Sequence, residues 1–135
     1  MLNEITHLAQ HRADFGFETT LSGHGHMSLI RRLKDQGYQA HIFFLWVPVV
    51  DIALSRVRDR VLEGGHDVPE IDVRRRFERS IRNFFDHYRP LADSWILFDN
   101  SDRPPAITAF AKQGGLRIIE PAKYSVLVNR YGKHD

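Results

Sequence analysis

The chain has 135 residues, of which 42% are hydrophobic, 27% charged and 11% aromatic, the profile of a single globular domain able to bury roughly two-thirds of its unfolded surface. It contains no cysteine, which excludes disulfide frameworks, thiolate zinc sites and cysteine nucleophiles and fits a cytoplasmic location. Nineteen Lys and Arg against 17 Asp and Glu leave a formal charge of +2, too small to drive nucleic-acid binding by bulk charge.

In chain order, residues 2–12 read as a helix with Leu2, Ile5, Leu8 and Ala9 on one face. They carry neither a basic start nor an apolar block, so no secretory or targeting signal is expected. Residues 15–21 read as a strand, broken by Gly23 and Gly25. A helix over 27–36 is built on Leu29, Ile30 and Leu33, with Gly37 placed for a left-handed cap. Residues 39–47 are almost continuously apolar, as a strand covered on both faces should be. The longest apolar run, 42–50, contains Pro48 and falls far short of the ~20 residues that cross a bilayer, so no membrane partner is expected.

Leu54, Val57 and Val61 recur at helical spacing over 51–63, with Arg56 and Arg60 sharing another face. Gly64-Gly65 ends this helix, and the loop His66-Asp67-Val68-Pro69-Glu70 leads into a long one reaching about Tyr88. Phe77, Ile81, Phe84, Phe85 and Tyr88 form its core stripe, and Pro90 marks its end. Residues 95–98 read as a third buried strand ending in Asp99-Asn100-Ser101, 106–120 as a hairpin turned at Gly114-Gly115, and 122–131 as a final helix. This alternation predicts an α/β domain with a mainly parallel sheet.

Ligands of such sheets bind beyond the carboxyl ends of the strands, which points to three places. Glu18, Thr19 and Thr20 put a carboxylate and two hydroxyls before a glycine turn. Glu18 either holds a magnesium ion, directly or through water, or positions an acceptor hydroxyl, or else caps or pairs inside the mouth of the sheet. The stretch 56–82 holds eight of the chain's 15 arginines and no lysine. It reads as a kinase-type lid whose guanidinium groups reach a transferring phosphate, or as a solvated face of local ion pairs. Asp99-Asn100-Ser101 touches a nucleotide or simply turns the chain. His7 and His11, four apart, lack the glutamate of the zinc-protease pattern, and His24-Gly25-His26 reads as a loop. The lone Gly-Lys pair, Gly132-Lys133, follows Leu127 where a Walker loop needs glycine.

Taken in order, Phe17-Glu18-Thr19-Thr20-Leu21-Ser22-Gly23, Gly37-Tyr38, the arginines of 56–60, Gly64-Gly65-His66-Asp67-Val68-Pro69-Glu70, Arg74-Arg75-Arg76-Phe77 and Asp99-Asn100-Ser101 resemble the zeta-toxin-like family of small P-loop kinases, over about residues 2–131. The resemblance implies a three-layer, mainly parallel sheet with helices on both faces, a C-terminal hairpin and helix, and a lid at about 56–82. It implies transfer of the ATP γ-phosphoryl, with Mg²⁺, to a sugar nucleotide of the UDP-N-acetylglucosamine type. Glu18, Arg60 and Arg75 would be the catalytic residues, Glu18 acting on the metal indirectly. Thr19, Thr20, Arg56 and His66 would meet the acceptor, and Asn100 and Arg76 the nucleotide.

The family pattern opens with a strand, a Walker loop, a helix and a second strand bearing an acidic base, all of which precede the residues matched here. The expectation is therefore one partial domain over 1–135, lacking the first strand and phosphate loop and inactive as it stands, with a homodimer or rearranged sheet filling the gap. The alternative is a remnant that still binds a nucleotide or an antitoxin-like protein. A nucleic-acid role for the arginine-rich helices ranks last, because Asp59, Glu63, Asp67, Glu70, Asp72 and Glu78 interrupt them.

Overall fold

The computed structural model describes residues 11, 13–16, 25–48 and 50–131. Apart from His11, the helix expected at 2–12 lies outside them, as does the strand expected at 15–21 beyond Phe15 and Gly16. The elements run α1 (Gly25–Asp35), β1 (His41–Trp46), α2 (Val50–Leu62), α3 (Glu70–Asn83), a π-helical turn (Phe84–Tyr88), α4 (Arg89–Leu91), β2 (Ser94–Asp99), β3 (Ala106–Lys112), β4 (Gly115–Ile118) and α5 (Pro121–Tyr131). No helix among the described residues is long and apolar enough to cross a membrane.

The four strands lie in the order β1-β2-β3-β4. β1 pairs with β2 in parallel, Phe44 opposite Leu97, while β2–β3 and β3–β4 are antiparallel. The α/β class expected from the sequence is present; the described sheet is mixed, because the C-terminal hairpin joins it directly beside β2. That hairpin turns on Gln113 and Gly114, one residue earlier than expected. Both have positive φ, 53° and 79°, and Lys112 pairs with Gly115 across them, the primed two-residue turn that suits the twist of antiparallel strands.

Alternation along the strands places Phe44 and Trp46 of β1, Trp95 and Leu97 of β2 and Ala109 of β3 in one cluster with Phe84, Phe85, Tyr88, Tyr124, Leu127 and Tyr131. Phe84, fully buried, stacks on Phe44 at 4.8 Å between centroids and meets Trp95 and Phe85 edge-on. The opposite side of β1 corrects the two-faced burial expected for 39–47: Phe43 is 64% exposed and Leu45 50%. β1 alternates in and out although its sequence does not, because the Phe44 and Trp46 side packs into the core while the Phe43 and Leu45 side is left largely open.

Proline 90 also acts differently from expectation. The helix does not stop there; it widens to a π turn over Phe84–Tyr88, with the Arg89 amide bonded to the Phe84 carbonyl five residues back, and continues through Pro90 in α4. The widening occupies the turn where the proline ring would meet the carbonyl four residues earlier.

Two glycines fix the end of α2. The Gly64 amide bonds to the Val61 carbonyl at 3.0 Å and the Gly65 amide to the Arg60 carbonyl at 2.7 Å, the paired bonds of a Schellman motif. Gly64 supplies its left-handed residue at φ +96°, and a Cβ on Gly65 would lie 2.8 Å from the Arg60 carbonyl oxygen. Gly64→Ala is expected to lower stability by about 1–2 kcal/mol, read as a drop in the thermal midpoint. An unchanged midpoint would show that α2 ends some other way. α1 ends by the same device at Gly37, as the sequence predicts.

Candidate functional site

A cleft of about 1190 Å³ opens along β1 and is walled by α1, α2 and α3. Every residue from Gln39 to Val47 lines it. A sheet face would contribute alternate residues only, so the strand's edge is what the cleft exposes. Its floor is apolar, with Ile42, Phe44 and Phe77. At the carboxyl end of β1 it meets Arg56 and Arg60 of α2, Arg76 of α3 and Asn100 after β2.

The structure thus brings four of the sequence-derived candidates, Arg56, Arg60, Arg76 and Asn100, into the lining of one cleft. Arg75 does not line the cleft; its guanidinium lies 3.7 Å from Asp72 on its own helix. His66 is exposed and also outside the lining, which the loop reaches through Val68. Glu18, Thr19 and Thr20 lie outside the described residues, as do His7 and His24.

What each arginine touches separates them. Arg74 is held by Glu70 at 3.0 Å, with Asp51 at 3.8 Å. Arg89 bonds the Tyr124 hydroxyl at 3.1 Å and lies over Phe85, while Arg82 and Arg130 lie over Tyr131. Arg56 donates to the Asn100 carbonyl at 2.5 Å and reaches the Ser101 carbonyl at 3.5 Å. The side chains of Arg60 and Arg76 form no ion pair or hydrogen bond among the described residues. Two guanidinium groups from different helices, without an ion-pair partner among the described residues, therefore line the same cleft, an arrangement that suits a polyanionic ligand such as a phosphate chain. Lys34, at the other end of the cleft, is engaged by the Leu91 carbonyl at 2.7 Å and by Asp93 at 3.5 Å.

Asn100 is fixed by its backbone. Its amide bonds the Trp46 carbonyl at 2.7 Å and its carbonyl accepts from Arg56, leaving a carboxamide with no hydrogen bond among the described residues. Asp99, only 6% exposed, is turned away from ligand chemistry. Its Oδ1 accepts from the Ser101 amide at 2.9 Å and hydroxyl at 2.5 Å, and its Oδ2 from Lys123 at 2.8 Å. This clamp between β2 and α5 escaped the sequence reading, since Lys123 lies 24 residues away with no motif linking the two.

Burial alone would raise the Asp99 pKa, but the bonds from Lys123 and Ser101 outweigh it and hold the carboxyl below the usual range. The Ala40 amide, followed by Lys34, does the same for Asp93. Folded-state pKa values depressed in this way contribute stability that is present above the unfolded value and lost as pH falls through the folded one. The thermal midpoint is expected to hold from neutrality and fall below about pH 4. Asp99→Asn should flatten that acid limb, and an identical limb in the variant would count against the clamp.

A protein-family model described as zeta toxin matches residues 2–103. The match includes the cleft arginines and Asn100 and stops before β3. An uncharacterized protein of Haemophilus influenzae is 33% identical over 63 residues, 47% of this chain and 45% of that protein, so the matched segment spans less than half of this curated relative. No solved structure matches.

Proposed function

The chain belongs to the zeta toxin family, and from that premise we propose that it is a nucleotide-dependent phosphotransferase domain, with ATP as donor and a sugar nucleotide of the UDP-N-acetylglucosamine type as acceptor. One observation carries the reading: Arg60 and Arg76, whose side chains have no partner among the described residues, line the same cleft as the Asn100 carboxamide, which has no hydrogen bond among them either. Mg·ATP, when bound, supplies the γ-phosphoryl group for in-line transfer to a hydroxyl. The residues present fit the phosphate chain. Arg60 and Arg76 hold its oxygens and offset charge developing on them, and Asn100 offers both donor and acceptor to the nucleoside. They identify no metal carboxylate, because Asp99 is committed to Ser101 and Lys123 and no group of three His, Asp or Glu side chains suited to a metal occurs among the described residues. Glu18, with Thr19 and Thr20, enters on the acceptor and magnesium side by resemblance, as does His66 near the acceptor.

Thermal-shift titration of the 135-residue chain with Mg·ATP, with UDP-N-acetylglucosamine and with both tests the reading, since a ligand of the folded state raises its midpoint. Saturable rises with each are expected, and silence from both would sink it. A second reading, nucleotide binding without turnover, is favoured by Lys34, whose engagement leaves the cleft no free ammonium among the described residues for the β- and γ-phosphates. A rise with ATP and no transfer to the sugar nucleotide would select it. The exposed Phe43 and Leu45 support a further proposal, that a second copy or an antitoxin-like protein covers β1; light scattering that shows a monomer would remove the homodimer.

A further inference from the structure

Arg56 lies among the cleft residues, where a substrate contact is the obvious role, yet its guanidinium is already engaged. It points at the end of β2, 2.5 Å from the Asn100 carbonyl and 3.5 Å from that of Ser101. The pair joins residues 44 positions apart. It therefore fastens α2 to the turn after β2, a junction that no strand pairing provides. The side chain is half-buried, so the bonds are partly shielded from water and worth more than surface contacts.

The Arg60 and Asn100 part of the proposed site hangs on that junction. Arg60 sits one helical turn beyond Arg56 on α2, and its backbone carbonyl is locked into the Gly64-Gly65 cap, so α2 moves with Arg60. Asn100 is pinned from the other side, its amide bonded to the Trp46 carbonyl. Arg56 closes the triangle between α2, β1 and β2. We infer that Arg56 is a positioning residue of the phosphate cleft: by holding the Asn100 and Ser101 carbonyls it sets the spacing between the Arg60 guanidinium and the Asn100 carboxamide, and it does not itself bind the ligand. This inference rests on the phosphate reading of the cleft. Both bonds leave one nitrogen, Nη2, so the ammonium of a lysine, with three donors at one point, can replace part of the contact but lacks the planar guanidinium's fixed direction.

The test compares Arg56→Ala, Arg56→Lys and Arg60→Ala by two measurements. The first is amide hydrogen exchange of the unliganded chain. The second is calorimetric affinity for Mg·ATP and for inorganic tripolyphosphate. For Arg56→Ala, faster exchange is expected in α2 and at Asn100 and Ser101, with β2–β3 amides unchanged. Affinity for both probes should fall about ten- to a hundredfold, as a misplacement of about an ångström would cause. Arg56→Lys should recover part of both effects together, whereas Arg60→Ala should lose affinity with normal exchange. Lost affinity with unaltered exchange in Arg56→Ala would make Arg56 a direct ligand and overturn the inference. Faster exchange with full affinity would make it structural only, and would overturn it equally. If Arg56→Ala does not fold, Arg56→Gln carries the same readouts. Should the unmodified chain bind neither probe, the phosphate reading falls and the positioning role with it, a failure visible before any variant is made.

Discussion

Phe84→Ala is expected to destabilise the domain by about 3–5 kcal/mol, the range for truncating a fully buried aromatic ring. Against a total of roughly 5–15 kcal/mol for a domain of this kind, that is enough to leave part of the population unfolded near body temperature. The physical reason is the number of partners one side chain serves. Its ring stacks on Phe44 of β1 and meets Trp95 of β2 and Phe85 of its own turn edge-on, so deletion opens a void that touches two strands and the π turn together. Phe43→Ala, one residue along β1 from Phe44 but 64% exposed, should cost less than about 1 kcal/mol. Urea and thermal denaturation of the two variants give the comparison. A Phe84→Ala midpoint within a few degrees of the parent would mean that the core does not centre on this ring.

The second large effect concerns chemistry. Arg60→Ala and Arg76→Ala are each expected to lower kcat by about 10²–10³-fold, the scale for removing a positioned donor from a developing anion, with a smaller change in KM. Equal losses in both constants would assign them to ground-state binding instead. If the chain binds nucleotide without transfer, the same variants should weaken Mg·ATP affinity. Arg75→Ala is the informative contrast. Family resemblance gives Arg75 the γ-phosphate, whereas the structure puts Arg76 in the cleft and Arg75 against Asp72. Neighbouring residues on a helix point about 100° apart, so the two cannot share one job. An Arg75→Ala loss exceeding that of Arg76→Ala would return the role to Arg75.

That pair shows where sequence reasoning stops. Spacing located the arginine-rich helices, and their ends were legible because Gly37 and Gly64-Gly65 have backbone geometry that other residues strain to adopt. The core stripe of Phe77, Ile81, Phe84, Phe85 and Tyr88 was legible from periodicity alone. Both Arg75 and Arg76 stood out as candidates, but which of them lines the cleft was not legible, because it depends on how far α3 is rotated about its axis. β1 misled for a related reason. An unbroken apolar run reads as buried on both sides, and nothing local in residues 39–47 reveals that the Phe43 and Leu45 side is left exposed. Pro90 misled because a helix has two responses to proline, stopping or widening, and the choice rests with the aromatic residues that hold the preceding turn in the core. Asp99 was visible as part of a turn, but its second partner, Lys123, could be found only in three dimensions.

The chain's two tryptophans occupy adjacent strands, both nearly buried, yet only Trp46 borders the cleft, while Trp95 lies stacked against Tyr124 on the α5 side. The molecule thus carries two optical probes with different views. A ligand entering beside Arg60 should perturb the emission of Trp46 and leave Trp95 as an internal standard, whereas loss of the core must shift both. Single-tryptophan variants would turn that difference into a label-free titration that separates occupancy of the cleft from loosening of the fold.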